Sequence, residues 1–403
     1  MSRSLLLRIL FIALPDSIHA ARWINQVADQ GWDLHFFPAY DLSLHPALRN
    51  VTTYSFSSVR PPDLNPSVRL RGLWPTARGE YRVKRLAERF APSWMERANW
   101  LAWLIQRLQP DVVHSMEFQR AGYLTLEAKK QFRGKSFPPW IATNWGSDVS
   151  LFGKLAAHAG KVRALLEACD YHHTECRRDL ALARLHGFRG EDLPLLPGGG
   201  GFDIKWMNSL RPPGPTSSRR HIALKGYQNW AGRALFGLRA LELCSDLLRE
   251  YTVTVYLADE PMAIAAELFS QRTGIQVEIL PHGQPHERIV RLHGSARISL
   301  GLSISDAAST SALEAMIMGS FPVQSDTSCF CEWATDGETT LLVPPEDTEK
   351  IATALRRALT DNELVDRAAH ANAQRASQGL DKDIIKPQVI DMYRRVARRK
   401  TVG

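Results

Sequence analysis

The sequence predicts an α/β protein of two domains, each built on a wound and largely parallel sheet. Three observations support this prediction: the length of 403 residues, a regular alternation of strand-like and helix-like segments, and one break in that alternation. A chain of this length exceeds one ordinary hydrophobic core, so two domains of roughly 200 residues each are expected. Strands that alternate with amphipathic helices are typical of parallel sheets, because each crossover between parallel strands has room for a helix.

The first half of the chain contains seven apolar segments with strand character. They cover residues 6–14, 33–38, 51–56, 111–114, 140–143, 171–174 and 193–196. Helices are expected between them, for example over residues 20–30 and 154–168. The opening segment has the length of a signal-peptide core, but Arg8 interrupts it and Asp16 follows at once, so it predicts a buried first strand. Together these segments predict a first α/β domain over residues 1–208.

The alternation breaks at residues 209–220, where Pro, Gly and Ser cluster and no apolar periodicity remains. This composition is typical of an interdomain linker. Strand-like segments then return at residues 221–224, 253–257, 277–280, 298–302, 321–324 and 340–343. They predict a second α/β domain over residues 221–380. A last helix, residues 382–399 of a terminal segment 381–403, follows Gly379 and is expected to pack back toward the first domain.

Composition narrows the class of protein. The chain is 44% apolar and 23% charged, which is typical of a globular protein. Its five cysteines are scattered, without the spacing of a zinc site or a disulfide framework, so a cytoplasmic location is expected. No segment approaches the roughly 18 apolar residues that cross a bilayer.

The net charge of +8 is unevenly distributed. Residues 49–107 contain eleven Lys or Arg against four Asp or Glu, and residues 394–400 contain five more basic side chains. Such an excess favours anionic partners. Within residues 68–104 the basic side chains are mixed with Trp, Phe, Leu and Tyr, which suits a peripheral contact with an anionic membrane surface. An equally weighted alternative is a solvated helix whose apolar side packs inward.

The most informative segment is residues 303–333. A strand ends beside Ser305 and Asp306, a turn of small residues follows, and the next helix carries Glu314 about one turn inside. Three hydroxyl side chains flank the start of that helix: Ser309, Thr310 and Ser311. Backbone N–H groups at a helix start bind a diphosphate, and a carboxylate accepts paired hydrogen bonds from a ribose diol. Alternatively, the hydroxyls only cap the helix and Glu314 only complements its dipole.

This segment resembles the hallmark of the retaining glycosyltransferases of the GT-B class, family 4. The hallmark is an acid, seven residues and a Glu, then Gly-x-Pro-Val, Ser-Asp, Glu and Asp-Gly. Its steps are met by Asp306, Leu313-Glu314-Ala315-Met316, Met318-Gly319-Ser320-Phe321-Pro322-Val323, Ser325-Asp326, Glu332 and Asp336-Gly337. The departure is Asp306 where Glu is usual. The resemblance implies that Asp306 lies beside the donor sugar, in a catalytic position, and that Glu314 binds the ribose.

Upstream, residues 222–242 resemble the family's strand and Gly-Arg turn, which grip the donor diphosphate. Here Lys225 precedes the turn glycine Gly226, and Arg233 stands near the position where a Lys is expected. The resemblance implies that both cations stabilise a leaving nucleoside diphosphate. The alternative for Arg233 is a solvent-facing residue of the following helix.

Two loops of the first half resemble the family's acceptor side. His19 follows the first strand in a loop without the usual glycines, and it is expected to bind phosphate or to orient an acceptor hydroxyl. A local helix cap is the alternative for His19. Residues 141–148 resemble the family's Thr-x-His-Gly-x-Asp loop, with Trp145 in place of the His, and the resemblance implies that Asp148 hydrogen-bonds donor or acceptor. Residues 197–203 match a glycine-rich turn of the family.

The resemblance implies a GT-B fold, with two Rossmann-like domains facing across a cleft and a C-terminal helix that returns to the first domain. It implies glycosyl transfer with retention from a nucleotide-diphosphate sugar to the hydroxyl of a glycan or a lipid-linked acceptor. Bacterial cell-surface polysaccharide or glycolipid synthesis is the expected setting. The donor is a co-substrate, and neither a cofactor nor a metal ion is expected.

Other classes of protein remain as alternatives. An epimerase or a phosphorylase shares the GT-B shape, although a phosphorylase is much longer and carries a pyridoxal-binding lysine. A non-catalytic protein that binds membrane or nucleic acid would explain the positive charge, but it would not require the signature from Asp306 to Glu314, so no nucleic acid is expected. A zinc helix at His282 and His286 is disfavoured, because Pro285 lies between them.

Overall fold

The computed structural model describes residues 6–55, 60, 62–72, 96–132 and 136–399. Its backbone divides into two compact units: residues 1–201 with 385–403 form one, and residues 202–384 form the other. The predicted linker, residues 209–220, lies within the second unit, where the N–H and the hydroxyl of Ser217 donate to the carboxylate of Asp366 at 2.8 and 2.7 Å. Most of the basic segment that is expected to meet a membrane, residues 73–95, lies outside the described residues.

The first unit contains, within the described residues, an eight-stranded sheet whose neighbouring strands are all parallel. In chain order the strands are β1 (Arg8–Ala13), β2 (Asp33–Pro38), β3 (Thr52–Ser55), β4 (Arg69–Gly72), β5 (Val112–Met116), β6 (Trp140–Thr143), β7 (Tyr171–His173) and β8 (Glu191–Asp192). Their order in space is β4-β3-β2-β1-β5-β6-β7-β8. The chain therefore reverses direction across the sheet between β1 and β5, and loops leaving these strands open a crevice at their carboxyl ends.

The second unit contains a six-stranded parallel sheet, counted over the described part of the chain. Its strands are β9 (His221–Lys225), β10 (Thr252–Ala258), β11 (Gln276–Pro281), β12 (Ile298–Gly301), β13 (Phe321–Ser325) and β14 (Leu341–Val343). The order in space is β11-β10-β9-β12-β13-β14. The reversal in this sheet falls between β9 and β12, so a ligand crevice is expected at that point.

Helices connect the strands of both units. In chain order they are α1 (Ile18–Asn25), α2 (Arg97–Leu108), α3 (Tyr123–Lys130), α4 (Ala156–Ala168), α5 (Arg177–Leu185), α6 (Ile204–Leu210), α7 (Ala234–Glu242), α8 (Glu260–Thr273), α9 (His286–Ser295), α10 (Thr310–Met318), α11 (Thr348–Thr360), α12 (Asn362–Gly379) and α13 (Lys382–Arg399). Over the ranges that the structure describes, no helix is long and apolar enough to cross a membrane.

The last helix, α13, packs its apolar side into the core of the first unit. Five of its side chains are buried there: Ile385, Val389, Met392, Tyr393 and Val396. The hydroxyl of Tyr393 accepts the indole N–H of Trp23 at 2.7 Å and lies 2.6 Å from Nδ1 of His114. This buried contact joins α13 to α1 and β5, so the return of the C-terminal helix rests on polar as well as apolar contacts.

The predicted fold class is confirmed, since both sheets are parallel and alternate with helices. The strand β4 was not predicted, because it is an exposed edge strand whose arginines are tolerated at a sheet margin. The strand predicted at residues 193–196 is wrong: β8 ends at Asp192, and Pro194 has no N–H to continue the ladder. The helix predicted over residues 20–30 is shorter, since α1 covers Ile18–Asn25.

We expect the stability of the first unit to fall as the pH drops below 6.5. Burial lowers the pKa of His172 and of His173 to about 3, and it holds the pKa of His114 well below its usual value. In the unfolded chain these histidines titrate near pH 6.5, so the unfolded state alone gains protons between about pH 6.5 and 3. Each contributes up to about 2 kcal/mol of lost stability by pH 5.

Urea unfolding at pH 7.5, 6 and 5 measures this loss. His173→Gln should flatten the dependence on pH, whereas His370→Gln, at an exposed site on α12, should leave it unchanged. An unfolding free energy that stays constant from pH 7.5 to 5 would contradict the expectation.

Candidate functional site

In the second unit, the segments that follow β9 and β12 are joined by backbone hydrogen bonds. The N–H of Arg233 donates to the carbonyl of Leu302 at 3.0 Å, and the N–H of Ile304 donates to Ala231 at 2.9 Å. These two strands flank the reversal of strand order, where open parallel sheets bind their ligands. The paired segments therefore form the floor of the candidate site.

Gly226 holds the turn after β9 close to β10. Its N–H donates to the carbonyl of Tyr256 at 2.7 Å. A Cβ atom at this position would lie 3.0 Å from that carbonyl oxygen and 3.0 Å from the Cα of Ala258, so a larger residue would push the turn away from the sheet. The close approach places the side chain of Lys225, one residue earlier, at the carboxyl end of β9.

A chain of hydroxyl groups lies beside Lys225 at the start of α10. Nζ of Lys225 donates to Oγ of Ser309 at 3.2 Å, and Oγ of Ser309 lies 3.0 Å from Oγ of Ser311. The buried hydroxyl of Tyr256 bonds to Ser311 in turn. Ser309 is the N-cap residue, with Thr310 next, yet its side chain makes no capping hydrogen bond. The alternative of a simple helix cap therefore does not describe Ser309, and the first-turn N–H groups and a cation meet at one place, as a diphosphate requires.

Glu314 is buried on the second turn of α10, and it is hydrogen-bonded to a histidine. Its side chain is 5% exposed, and Oε1 lies 2.6 Å from Nε2 of His286, whose side chain is 38% exposed. An ionised carboxylate only accepts hydrogen bonds, so Nε2 of the imidazole carries the proton. The negative charge also reaches His293: burial lowers the pKa of His293 to about 4, and Glu314 opposes this shift.

Asp306 is half-buried just after β12, and Oδ1 accepts the N–H of Ala307 at 2.9 Å. Its neighbour across the site is Tyr227, whose pKa is raised by burial and by the charge of Asp306. Nζ of Lys225 lies 4.6 Å from the centre of the Tyr227 ring, and that ring stacks on His282 at 5.7 Å. The structure thus brings Asp306 and Lys225 to the same aromatic side chain.

Arg233 has a different environment from Lys225. Its Nε lies 2.5 Å from Oε1 of Glu346, and Nη1 donates to the carbonyls of Asn229 and Gly232 at 3.3 and 2.9 Å. The guanidinium therefore holds the loop after β9 in place. Its predicted contact with a diphosphate stays a prediction.

In the first unit, the structure brings His19 close to two other predicted segments. The His19 ring lies 5.9 Å from that of Trp145, and a Cβ atom on Gly199 would lie 3.7 Å from Nδ1 of His19. Ser17 is the N-cap of α1 and accepts the N–H of Ala20, so the alternative of a capping role for His19 does not hold. Loops after β1 and β6 and the glycine-rich turn therefore meet at this imidazole.

Asp148 is almost wholly buried beneath the same loops. Its Oδ2 accepts the N–H groups of Phe118 at 2.9 Å and Trp145 at 2.7 Å. The side-chain amide of Gln119 is oriented so that its oxygen and its nitrogen both have hydrogen-bond partners. In this orientation the nitrogen donates to Oδ1 of Asp148 and to Oε1 of Glu117. Burial, and then the nearby Glu117, raise the pKa of Asp148 well above its usual value. This carboxyl fixes the loops after β5 and β6, and its predicted contact with substrate stays a prediction.

Sequence reasoning missed His286 and Tyr227 as site residues. His286 was considered only as a zinc ligand paired with His282. Pro285 marks the start of α9 and was the available signal, because it sets His286 at the first helical position. Tyr227 follows the turn glycine, where the family pattern gave no reason to expect a tyrosine.

The comparisons with known proteins match both halves of the chain to glycosyltransferases. Residues 8–171 match the family described as glycosyl transferase 4-like, and residues 240–375 match the glycosyl transferases group 1. Together the two matches span most of the chain. No curated protein sequence matches the chain at a significant level.

Solved structures share the fold at low sequence identity. A sucrose-phosphate synthase from Thermosynechococcus elongatus has a TM-score of 0.66 at 16% identity, covering 97% of this chain and 99% of its own. A Burkholderia xenovorans α,α-trehalose-phosphate synthase in complex with glucose-6-phosphate has a TM-score of 0.65 at 13%, covering 96% and 99%. The Anabaena protein HepE in complex with UDP-glucose has a TM-score of 0.65 at 14%, covering 95% and 98%.

We expect Asp148→Ala to destabilise the first unit by about 3 kcal/mol, because it leaves the buried N–H groups of Phe118 and Trp145 without an acceptor. Asp148→Asn keeps one acceptor oxygen and should lose less than half as much. Urea unfolding at pH 7.5 measures both variants. An unfolding midpoint for Asp148→Ala equal to that of the unmodified chain would show that this carboxyl does not hold the loops.

Proposed function

This chain belongs to the glycosyltransferases of the GT-B fold, with 4-like and group 1 regions, and we propose that it transfers a sugar from a nucleoside-diphosphate donor to an acceptor hydroxyl with retention. One observation carries the proposal. Three groups lie at the strand reversal of the second unit. They are the ammonium of Lys225, the start of α10 at Ser309, whose side chain makes no capping hydrogen bond, and the buried carboxylate of Glu314. These are the groups that a diphosphate and a ribose diol need.

Each group has a defined part in the proposed reaction. The helix N–H groups and Lys225 hold the diphosphate, and Glu314 receives the ribose hydroxyls. The bond between the anomeric carbon and the diphosphate oxygen breaks, and the charge that develops on that oxygen is stabilised by Lys225. The same oxygen takes the proton of the acceptor hydroxyl, whose oxygen bonds to the anomeric carbon on the face that the diphosphate leaves. This path uses no metal ion and no side-chain base.

Asp306 and the first unit complete the proposal. Asp306 is half-buried between the turn after β12 and Tyr227, where a donor sugar attached to the diphosphate would reach it. His19, beside Trp145 and Gly199, is proposed to orient the acceptor hydroxyl. The complex of HepE with UDP-glucose supports a UDP-sugar as the first donor to test. For the acceptor we propose a glycan or lipid-linked sugar of bacterial cell-surface polysaccharide or glycolipid synthesis.

We predict that Glu314→Ala weakens binding of the correct nucleoside diphosphate roughly hundredfold, since two hydrogen bonds from the ribose to a charged acceptor are lost. A thermal-shift screen of UDP, GDP, ADP and their sugars first identifies the donor, because a ligand of the folded state raises its melting temperature. Calorimetry in buffer with EDTA then compares the variants, since no metal is proposed. Glu363→Ala, exposed on α12, is the matched control.

Two results would contradict the assignment: unchanged affinity in Glu314→Ala, or the absence of any stabilising nucleotide together with salt-sensitive binding to DNA. The second result would favour a nucleic-acid-binding protein, whose affinity falls with added salt.

Peripheral membrane contact is proposed for the basic segment. Of its described part, Trp103 on α2 is 47% exposed, and the guanidinium of Arg107 lies 5.9 Å from the Trp103 ring. A basic side chain beside an exposed indole suits the headgroup region of an anionic bilayer. Replacement of Arg82, Lys84 and Arg85 by Glu should weaken cosedimentation with liposomes that contain anionic lipid, and unchanged cosedimentation would assign the segment to the protein's own packing.

A further inference from the structure

We propose that His286 is a positioning residue for the donor ribose: it holds the carboxylate of Glu314 in the orientation that receives the ribose diol. This inference rests on the proposed function, because it concerns the same nucleotide site. It adds a residue that the sequence motif does not include.

The first support is the contact itself. Nε2 of His286 lies 2.6 Å from Oε1 of Glu314, a short distance for a hydrogen bond between nitrogen and oxygen. The two residues come from different helices, α9 and α10, and stand 28 positions apart in the chain. The side chain of Glu314 is 5% exposed and that of His286 is 38% exposed, so a partly exposed imidazole contacts a buried carboxylate.

The second support is that the imidazole is itself held in place. The ring of Trp206, on α6, lies 5.6 Å from the His286 ring at an interplanar angle of 30°. Asp203 also holds the first turn of α6 in place. Its Oδ1 accepts the N–H of Trp206 at 2.9 Å, and its Oδ2 lies 2.5 Å from Nζ of Lys382. Rotation of the imidazole away from Glu314 would have to break its packing on the indole.

The chemistry explains why such a partner is needed. A carboxylate offers about four acceptor sites, and the imidazole takes one of them, on Oε1. A ribose diol needs both oxygens of the carboxylate turned toward it. A hydrogen bond to Oε1 restricts rotation of the buried carboxylate, so the side chain needs less reorientation when a ligand binds. The bond from His286 therefore lowers the cost of reorientation before the nucleotide arrives.

Two neighbouring histidines, His293 and His282, have other partners. His293 lies on the same helix but is wholly buried, and its Nδ1 bonds to Ser299. His282 stacks on Tyr227 on the other side of the site. A ring nitrogen of His286, in contrast, lies within hydrogen-bond distance of Glu314.

The test compares ribose with a ribose that lacks both hydroxyls. Calorimetry measures binding of the nucleoside diphosphate that stabilises the protein and of its 2′,3′-dideoxy counterpart, for example UDP and 2′,3′-dideoxy-UDP. His286→Phe keeps a ring on Trp206 and removes the donor, His286→Gln supplies an amide N–H, and His370→Phe on α12 is the control. His286→Phe should bind the ribonucleotide roughly tenfold more weakly and the dideoxynucleotide within about twofold of the unmodified chain.

A loss of ribose preference in His286→Phe, with part of it recovered in His286→Gln, supports the inference. An equal loss for both nucleotides overturns it, because general damage to the site weakens both ligands alike. A ribose preference kept in His286→Phe but lost in Glu314→Ala overturns the inference alone and leaves the proposed function standing. If no nucleotide binds the unmodified chain, both fail. Should His286→Phe not fold, His286→Ala is compared in the same way.

Discussion

The candidate site of the second unit depends on the close approach of one turn to the sheet. Gly226 has no side chain, so the turn after β9 can pack directly against β10: a Cβ atom at this position would lie only 3.0 Å from the backbone of β10. This close packing fixes the position of Lys225, the last residue of β9, and keeps its ammonium within hydrogen-bond distance of Ser309 at the start of α10. Because β9 and β12 flank the reversal of strand order, the turn and the helix start meet over an open crevice. A bulkier residue at 226 would move the cation and the floor of the site together.

One buried carboxyl in each unit, Asp148 and Glu314, bonds to hydrogen-bond donors from neighbouring segments, and these bonds also hold those segments together. Asp148 takes two backbone N–H groups and thereby ties the loop after β6 to the turn after β5. Glu314 takes the imidazole of His286 and thereby ties α10 to α9. Burial of an ionisable group without such donors costs several kcal/mol, so the partners are a condition of the arrangement. The two carboxyls differ in their partners: Asp148 bonds to backbone N–H groups of its own loops, whereas Glu314 bonds to an imidazole that is 38% exposed.

The sequence was sufficient for the fold class and for most strands, because buried parallel strands are continuous apolar runs and their helices have a clear period. It was not sufficient at the margins. The sequence of β4, Arg69 to Gly72, has the composition of a loop. It forms a strand through its pairing with β3. For the candidate site, the motif predicted Glu314 and the Ser309–Ser311 turn, whose geometry is local, and their roles stay predictions. His286 and Trp206 lie 28 and 108 residues from Glu314, and no spacing rule connects helices that are brought together only by packing.

Two cations, Lys225 at the end of β9 and Arg233 after the loop that follows it, have different surroundings. Both were expected to contact the diphosphate. Arg233 has a planar guanidinium, and it is engaged by Glu346 and by two carbonyls of its own loop, as suits a group with several fixed donors. Lys225 has a compact ammonium that contacts a hydroxyl and the face of Tyr227, both weaker partners than a carboxylate. A diphosphate would therefore compete with a carboxylate at Arg233 but with neutral groups at Lys225, which makes Lys225 the cation better suited to receive it.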